Sequence, residues 1–167
     1  AVANKADPLV VSFIRYRTNL LYNFSADEYA FPTPRSWMFV SKLLNVESDT
    51  TDQQELYYGV SSLVGDGPAG EFIAFKEVAD KLPDVDELIK DPSIYKKDDN
   101  PAILYALTGA VSARATDDKM ENIMKLNKKL PVEFQVILVK GCLSVDKQLK
   151  SNPDVKKWII DNANVVL

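Results

Sequence analysis

The chain has 167 residues, 46% hydrophobic and 26% charged, which suits one domain or two small ones sharing a core and excludes a disordered polymer. Its net charge of −4 argues against a nucleic-acid role, because phosphate binding needs a concentrated basic surface. One cysteine, Cys142, allows no intrachain disulfide and points to a reducing, cytoplasmic compartment. No apolar run reaches the roughly 18–20 residues of a membrane span, and the N-terminal stretch AVANKADPLVV lacks the charged-then-apolar layout of a signal peptide. It also lacks an initiator Met, as processing or excision from a larger protein would explain.

Apolar residues recur at helical spacing along nearly the whole chain, so the expected fold is an all-α bundle of about eight helices. Asp7 and Pro8 open the first, with Val10, Phe13, Ile14, Leu20 and Leu21 near one face and an end near Asn23. After the loop SADEYAFP, Thr33 and Pro34 open a second, striped by Trp37, Val40, Leu43 and Leu44. Thr50 or Thr51 caps a third, which aligns Leu56, Val60, Leu63 and Val64 and stops at Gly65. Asp66 caps a fourth, with Phe72, Ile73, Phe75, Val78 and Ala79 inward, and Pro83 breaks it.

The polar stretch Asp84 to Asn100 reads as one short helical turn and an exposed connection. Pro101 restarts helix through ILYALTGAVSARA. Thr116 caps another, with Asp117 and Asp118 in its first turn and Met120, Ile123, Met124 and Leu126 inward. Pro131 opens VEFQVILVKGCL, apolar on most sides and expected to be central; its β-branched VILV leaves a buried strand as the alternative. Pro153 opens the last helix. A boundary is expected near Asp91–Asn100, dividing 1–91 from 92–167.

The absent residue types restrict the chemistry. Without histidine there is no Ser–His or Cys–His nucleophile, no His-based zinc site and no usual general base, and one cysteine cannot build a thiolate metal site. No G-x-x-x-x-G-K-[ST] occurs. Gly65-Asp66-Gly67-Pro68-Ala69-Gly70 does match G-x-G-x-x-G, a backbone cradle for pyrophosphate when it follows a strand; outside an alternating strand–helix series it reads as a helix end and a helix start. The pairs Asp27-Glu28, Asp98-Asp99 and Asp117-Asp118 could be acid/base couples or Mg²⁺ ligands, or solvated surface. Cys142 sits in the most apolar segment, as a buried small hydrophobe does. Trp37 and Phe39, or Tyr57 and Tyr58, could stack on a base or belong to the core. Lys125, Lys128 and Lys129 make a small basic face near a helix C-terminus.

Thr33-Pro34-Arg35-Ser36-Trp37 places an arginine at the second position of a helix. The backbone N–H groups and macrodipole there favour an anion, and a guanidinium adds a bidentate phosphate clamp; the plainer reading is a surface arginine. The run Phe31-Pro32-Thr33-Pro34-Arg35-Ser36-Trp37-Met38-Phe39-Val40-Ser41-Lys42 resembles the "P-R" element in the lid of MoxR-like AAA+ ATPases of phage and bacterial type. The upstream run Val11 to Leu21 resembles the preceding lid helix, and Val64 to Phe75 is similar to the next lid hairpin. Leu130-Pro131-Val132-Glu133-Phe134 and Trp158 fit a helical C-terminal extension seen in the same group.

The resemblance implies that 1–91 is an AAA+ lid and 92–167 the extension packed on it. It implies that Arg35 is the sensor 2 residue, reaching the γ-phosphate of ATP, with Mg²⁺, in the parent ATPase. It further implies that the partners are the N-terminal P-loop module and neighbouring subunits of a ring, beside an unknown client. The α/β module that would carry Walker A, Walker B, sensor 1 and the arginine finger is not in these 167 residues, so no hydrolysis is expected of this chain alone. A helical interaction module without nucleotide dependence is the competing expectation, and a dinucleotide-binding enzyme a third.

Overall fold

The computed structural model describes residues 6–24, 26–46 and 52–162, which form nine α-helices joined by short 3₁₀ turns; no strand occurs among them. They fall into two compact units, Ala1–Lys81 and Leu82–Leu167. No helix among the described residues is long and apolar enough to cross a membrane.

In the first unit, α1 (Pro8–Tyr16) starts as its sequence predicts: Asp7 accepts a hydrogen bond from the Leu9 N–H at 2.8 Å, and Pro8 occupies the first helical position. It ends seven residues earlier than expected. Arg17 leaves helical geometry (φ −122°, ψ 66°), a 3₁₀ turn covers Thr18–Leu20, and the Leu20 carbonyl accepts from the Trp37 indole N–H at 2.7 Å. That tertiary bond satisfies a carbonyl that lies beyond the helical ladder of α1. Helix α2 (Pro34–Val46) follows, then α3 (Gln53–Val64) and α4 (Asp66–Asp80). The expected cap at Thr50 or Thr51 lies outside the described residues.

The first core is aromatic. Phe13, fully buried, has the rings of Trp37, Phe72 and Phe75 at 5.3, 5.3 and 5.6 Å between centroids, at tilted or edge-on angles that suit the ring quadrupoles. Trp37 therefore packs between α1 and α4 from its place on α2, and Val40, Leu56, Val60 and Val64 close the layer. Leu43, Leu44, Leu63, Val78 and Ala79, expected on the inward stripes, are half-buried at its margin.

The second unit opens with α5 (Val85–Lys90), α6 (Pro101–Ala113) and α7 (Met120–Asn127), then α8 (Val132–Val145) and α9 (Pro153–Asp161). The division falls at Lys81–Leu82, ahead of the boundary expected near Asp91–Asn100, and Val85, Leu88 and Ile89 of α5 are buried in the second core. The short helical turn expected in Asp84 to Asn100 is thus α5, and it supplies core residues. Asp84 caps α5 through the N–H groups of Glu87 and Asp86, and these bonds hold its carboxyl below the usual carboxylate range.

Asn100, not anticipated as a cap, accepts from the Ala102 N–H at 3.0 Å, and Asn152 caps α9 in the same way. Thr116 makes no side-chain cap bond. A 3₁₀ turn over Asp117–Lys119 intervenes before α7, and Asp117 accepts from the Asn152 amide at 2.8 Å. Met120, Ile123, Met124 and Leu126 of α7 are buried as the periodicity requires.

The VILV run is helical, which settles the strand alternative. Helix α6 is packed more deeply than α8, with eight buried residues of thirteen against four of fourteen. The Ala, Gly, Ser and Thr side chains of α6 let neighbours approach closely, and Thr108 and Ser112 return their hydroxyls to the carbonyls of Leu104 and Gly109.

Candidate functional site

Arg35 stands on the first turn of α2, and local chemistry fixes that turn. The Ser36 N–H donates to Thr33 Oγ1 at 3.0 Å, the Thr33 N–H donates back to Ser36 Oγ at 2.8 Å, and the Trp37 N–H donates to the Thr33 carbonyl at 3.0 Å. This is a capping box with serine in the place usually held by Glu or Gln, and it makes Thr33 the cap, Pro34 the first helical residue and Arg35 the second. The preceding loop is closed by the Asn23 N–H on the Pro32 carbonyl at 3.1 Å and by an edge-on contact of Phe24 with Phe31.

The Arg35 side chain is exposed, and none of the ion pairs among the described residues involves it. Its guanidinium carbon lies 5.9 Å from the centroid of the Phe39 ring, one turn on. Lys42 Nζ lies 5.3 Å from the same centroid. Phe39, weighed with Trp37 as a stacking or core residue, is 41% exposed, whereas Trp37 is buried. One helix thus presents an indole to the core and a phenyl ring flanked by two cations to solvent. Lys42 was not singled out in the sequence. The signal available was its spacing, three residues after Phe39 as Arg35 is four before it, which brings side chains together on a helix.

The other candidates resolve into structure. Gly65, the first glycine of G-x-G-x-x-G, ends α3 with φ +87°, and a Cβ there would stand 2.8 Å from the Ala30 carbonyl oxygen. A left-handed backbone angle and a close backbone approach both require glycine here. The motif follows helix α3, and Gly67 and Gly70 lie on α4 with open space around them. Asp66 is the first residue of α4 rather than its cap; its Oδ1 accepts from Ser61 Oγ at 2.5 Å.

Asp27 and Glu28 are exposed; Asp98 caps a turn at the Asn100 N–H, and Asp99 pairs with Lys97 at 3.7 Å. No group of three or more His, Cys, Asp or Glu side chains placed to hold a metal occurs among the described residues. Lys125 pairs with Glu121 at 2.7 Å and Lys129 Nζ donates to the Pro92 carbonyl at 2.6 Å, so two members of that basic face are already engaged. Tyr57 and Tyr58 line an open cleft of about 450 Å³ with Asp52, Gln53, Gln54 and Ile73.

Cys142 is buried on α8, and burial pushes its thiol up to about 12. The folded chain therefore keeps a proton that the unfolded chain releases from about pH 8.5 upward, so stability is intact below that pH and falls as pH rises toward 12. Between pH 8 and 10 the parent should lose about 2 kcal/mol more, in urea unfolding under reductant, than Cys142→Ala. Tyr95, also raised by burial, is common to both and cancels in the comparison. Equal losses in the two proteins would show that this thiol ionises freely in the folded state.

A scan against protein-family models and searches of curated proteins and of solved structures gave no match to this chain. The class that the geometry defines is an all-α protein of two helical units, with an exposed arginine at the start of α2 as its leading candidate residue.

Proposed function

We propose that this chain is the lid and helical C-terminal region of a MoxR-like AAA+ ATPase, acting in the cytoplasm, with Arg35 as its sensor 2 arginine. The observation that carries the reading is the setting of Arg35: second residue of α2, side chain in solvent, and in none of the ion pairs among the described residues. A guanidinium kept for structure is usually satisfied by a carboxylate or stacked on an aromatic ring, whereas one kept for a ligand is held where the ligand arrives; the missing carboxylate favours the sensor 2 reading, and the Phe39 ring, 5.9 Å from the guanidinium carbon, favours the structural one. In the parent, ATP and Mg²⁺ would be bound by the P-loop module. Arg35 would then stabilise charge on the γ-phosphate, and movement of the lid would pass nucleotide state to neighbouring subunits of the ring.

The test separates folding from chemistry. Arg35→Ala should change the stability of this chain by no more than about 0.5 kcal/mol in urea unfolding, the usual range for a surface side chain. In the protein that includes the P-loop module, the same substitution should slow ATP hydrolysis tenfold or more, on the order of 1.4 kcal/mol in the barrier. Parental turnover in that protein, or an Arg35→Ala chain that does not fold, removes the reading. A helical interaction module would then stand in its place, favoured by the exposed side chains of Tyr22, Phe24 and Tyr29 in the first unit.

A further inference from the structure

We propose that Phe39 is a positioning residue at the centre of an anion-binding strip on α2, whose ring holds the Arg35 guanidinium and the Lys42 ammonium ready for a polyphosphate. Assigning that polyphosphate to a nucleotide rests on the ATPase reading above; the strip itself does not.

The strip is built from three side chains of one thirteen-residue helix. Arg35 lies four residues before Phe39 and Lys42 three after it, and both cations are drawn to one centroid, at 5.9 and 5.3 Å. These distances lie within the range over which a ring's negative quadrupole attracts a cation. Two like charges on one helix would ordinarily spread apart, each sampling its own rotamers. The shared ring lowers that repulsion and removes part of the freedom that long basic side chains otherwise lose on binding. None of the ion pairs among the described residues involves Arg35 or Lys42, although four other basic side chains of the chain, Arg17, Lys76, Arg114 and Lys125, sit within 3.1 Å of a carboxylate. Arg35 and Lys42 thus place two positive charges on one exposed face of α2, and none of the ion pairs among the described residues engages either. A chain of linked phosphates can reach two cations set around one ring where a single phosphate reaches one, because each cation can take a different phosphate group.

A ring that only packs the helix surface would give the same geometry, so the test reads ligand binding. Inorganic tripolyphosphate is titrated into the 167-residue chain at fixed ionic strength and followed by NMR, with ATP in a parallel series. Shifts should centre on Arg35, Phe39 and Lys42, with millimolar affinity. Phe39→Leu and Lys42→Gln should each weaken binding about threefold, the size of one exposed cation–ring contact, while Phe39→Tyr should keep it. Far-UV circular dichroism confirms that each variant folds. Shifts centred on Lys125 and Lys128 instead, or Phe39→Leu binding as tightly as the parent, would overturn the proposal. ATP moving the Phe39 ring where tripolyphosphate moves nothing would also overturn it, assigning the contact to the base. Failure of the ATPase reading looks different: Arg35→Ala would leave hydrolysis at the parental rate while tripolyphosphate still bound the strip.

Discussion

Trp37→Ala should destabilise the first unit by about 3–5 kcal/mol, the range for truncating a large core aromatic. Trp37 is 2% exposed, touches Phe13 and Phe72 with its ring, and donates its indole N–H to the Leu20 carbonyl. Alanine would open a cavity in the centre of the aromatic cluster and leave that carbonyl without its partner. The loss should therefore exceed that of Trp37→Phe, which keeps most of the volume and gives up chiefly the hydrogen bond, about 1 kcal/mol. Urea unfolding followed by far-UV circular dichroism, with helix content checked at zero urea, measures both. A loss below about 1 kcal/mol for Trp37→Ala would mean that the indole does not close this core.

Trp158→Ala should have an effect of similar size in the second unit, about 3–5 kcal/mol, for a different combination of reasons. The ring is 6% exposed in a core that includes Ile123, Leu126, Leu138 and Val155. Its Nε1 donates to Gln135 Oε1 at 3.2 Å. With the Asn127 amide in the orientation that satisfies both its ends, that N–H also lies 3.2 Å from the Asn127 oxygen, and the Asn127 nitrogen donates to the Gln135 carbonyl. Asn127 is fully buried, so removing the indole leaves a desolvated amide oxygen with nothing to accept from. A second substitution exposes this coupling. Asn127→Leu should cost the parent more than it costs Trp158→Ala, because the bond it removes is already gone in the latter. Equal costs in the two backgrounds would show that the amide and the indole act independently.

Helix starts were legible because they are local. Asp7 before Pro8 and Thr33 before Pro34 satisfy orphan N–H groups within three residues, so no distant contact is needed to place them. Gly65 was legible as a stop for the same reason. The candidate site was legible in part. Pro34-Arg35 located the exposed arginine, whereas Phe39 could be read only as core or stacking, and no local cap or turn pattern marks Lys42. Both lie on a helix whose buried face is chosen by what packs against it, and a sequence stripe shared by Trp37, Val40 and Leu44 does not say how wide that cover is.

The sequence by itself determined the class: apolar residues at helical spacing, punctuated by Pro, Asp, Thr and Gly, lead to an all-α chain, and the residue inventory excludes histidine-based chemistry. Tertiary structure decided the rest. It ended α1 at Tyr16, joined the Leu20 carbonyl to the Trp37 indole, and drew α5 into the second core through Val85, Leu88 and Ile89. It also packed α6 more deeply than α8, and left Phe39 in solvent with Arg35 and Lys42 near its ring. The physical reason is common to all of these. Periodicity states which side chains share a face, but the free energy of covering that face depends on the volume and shape of residues far away in the chain, and those are known only once the helices have packed.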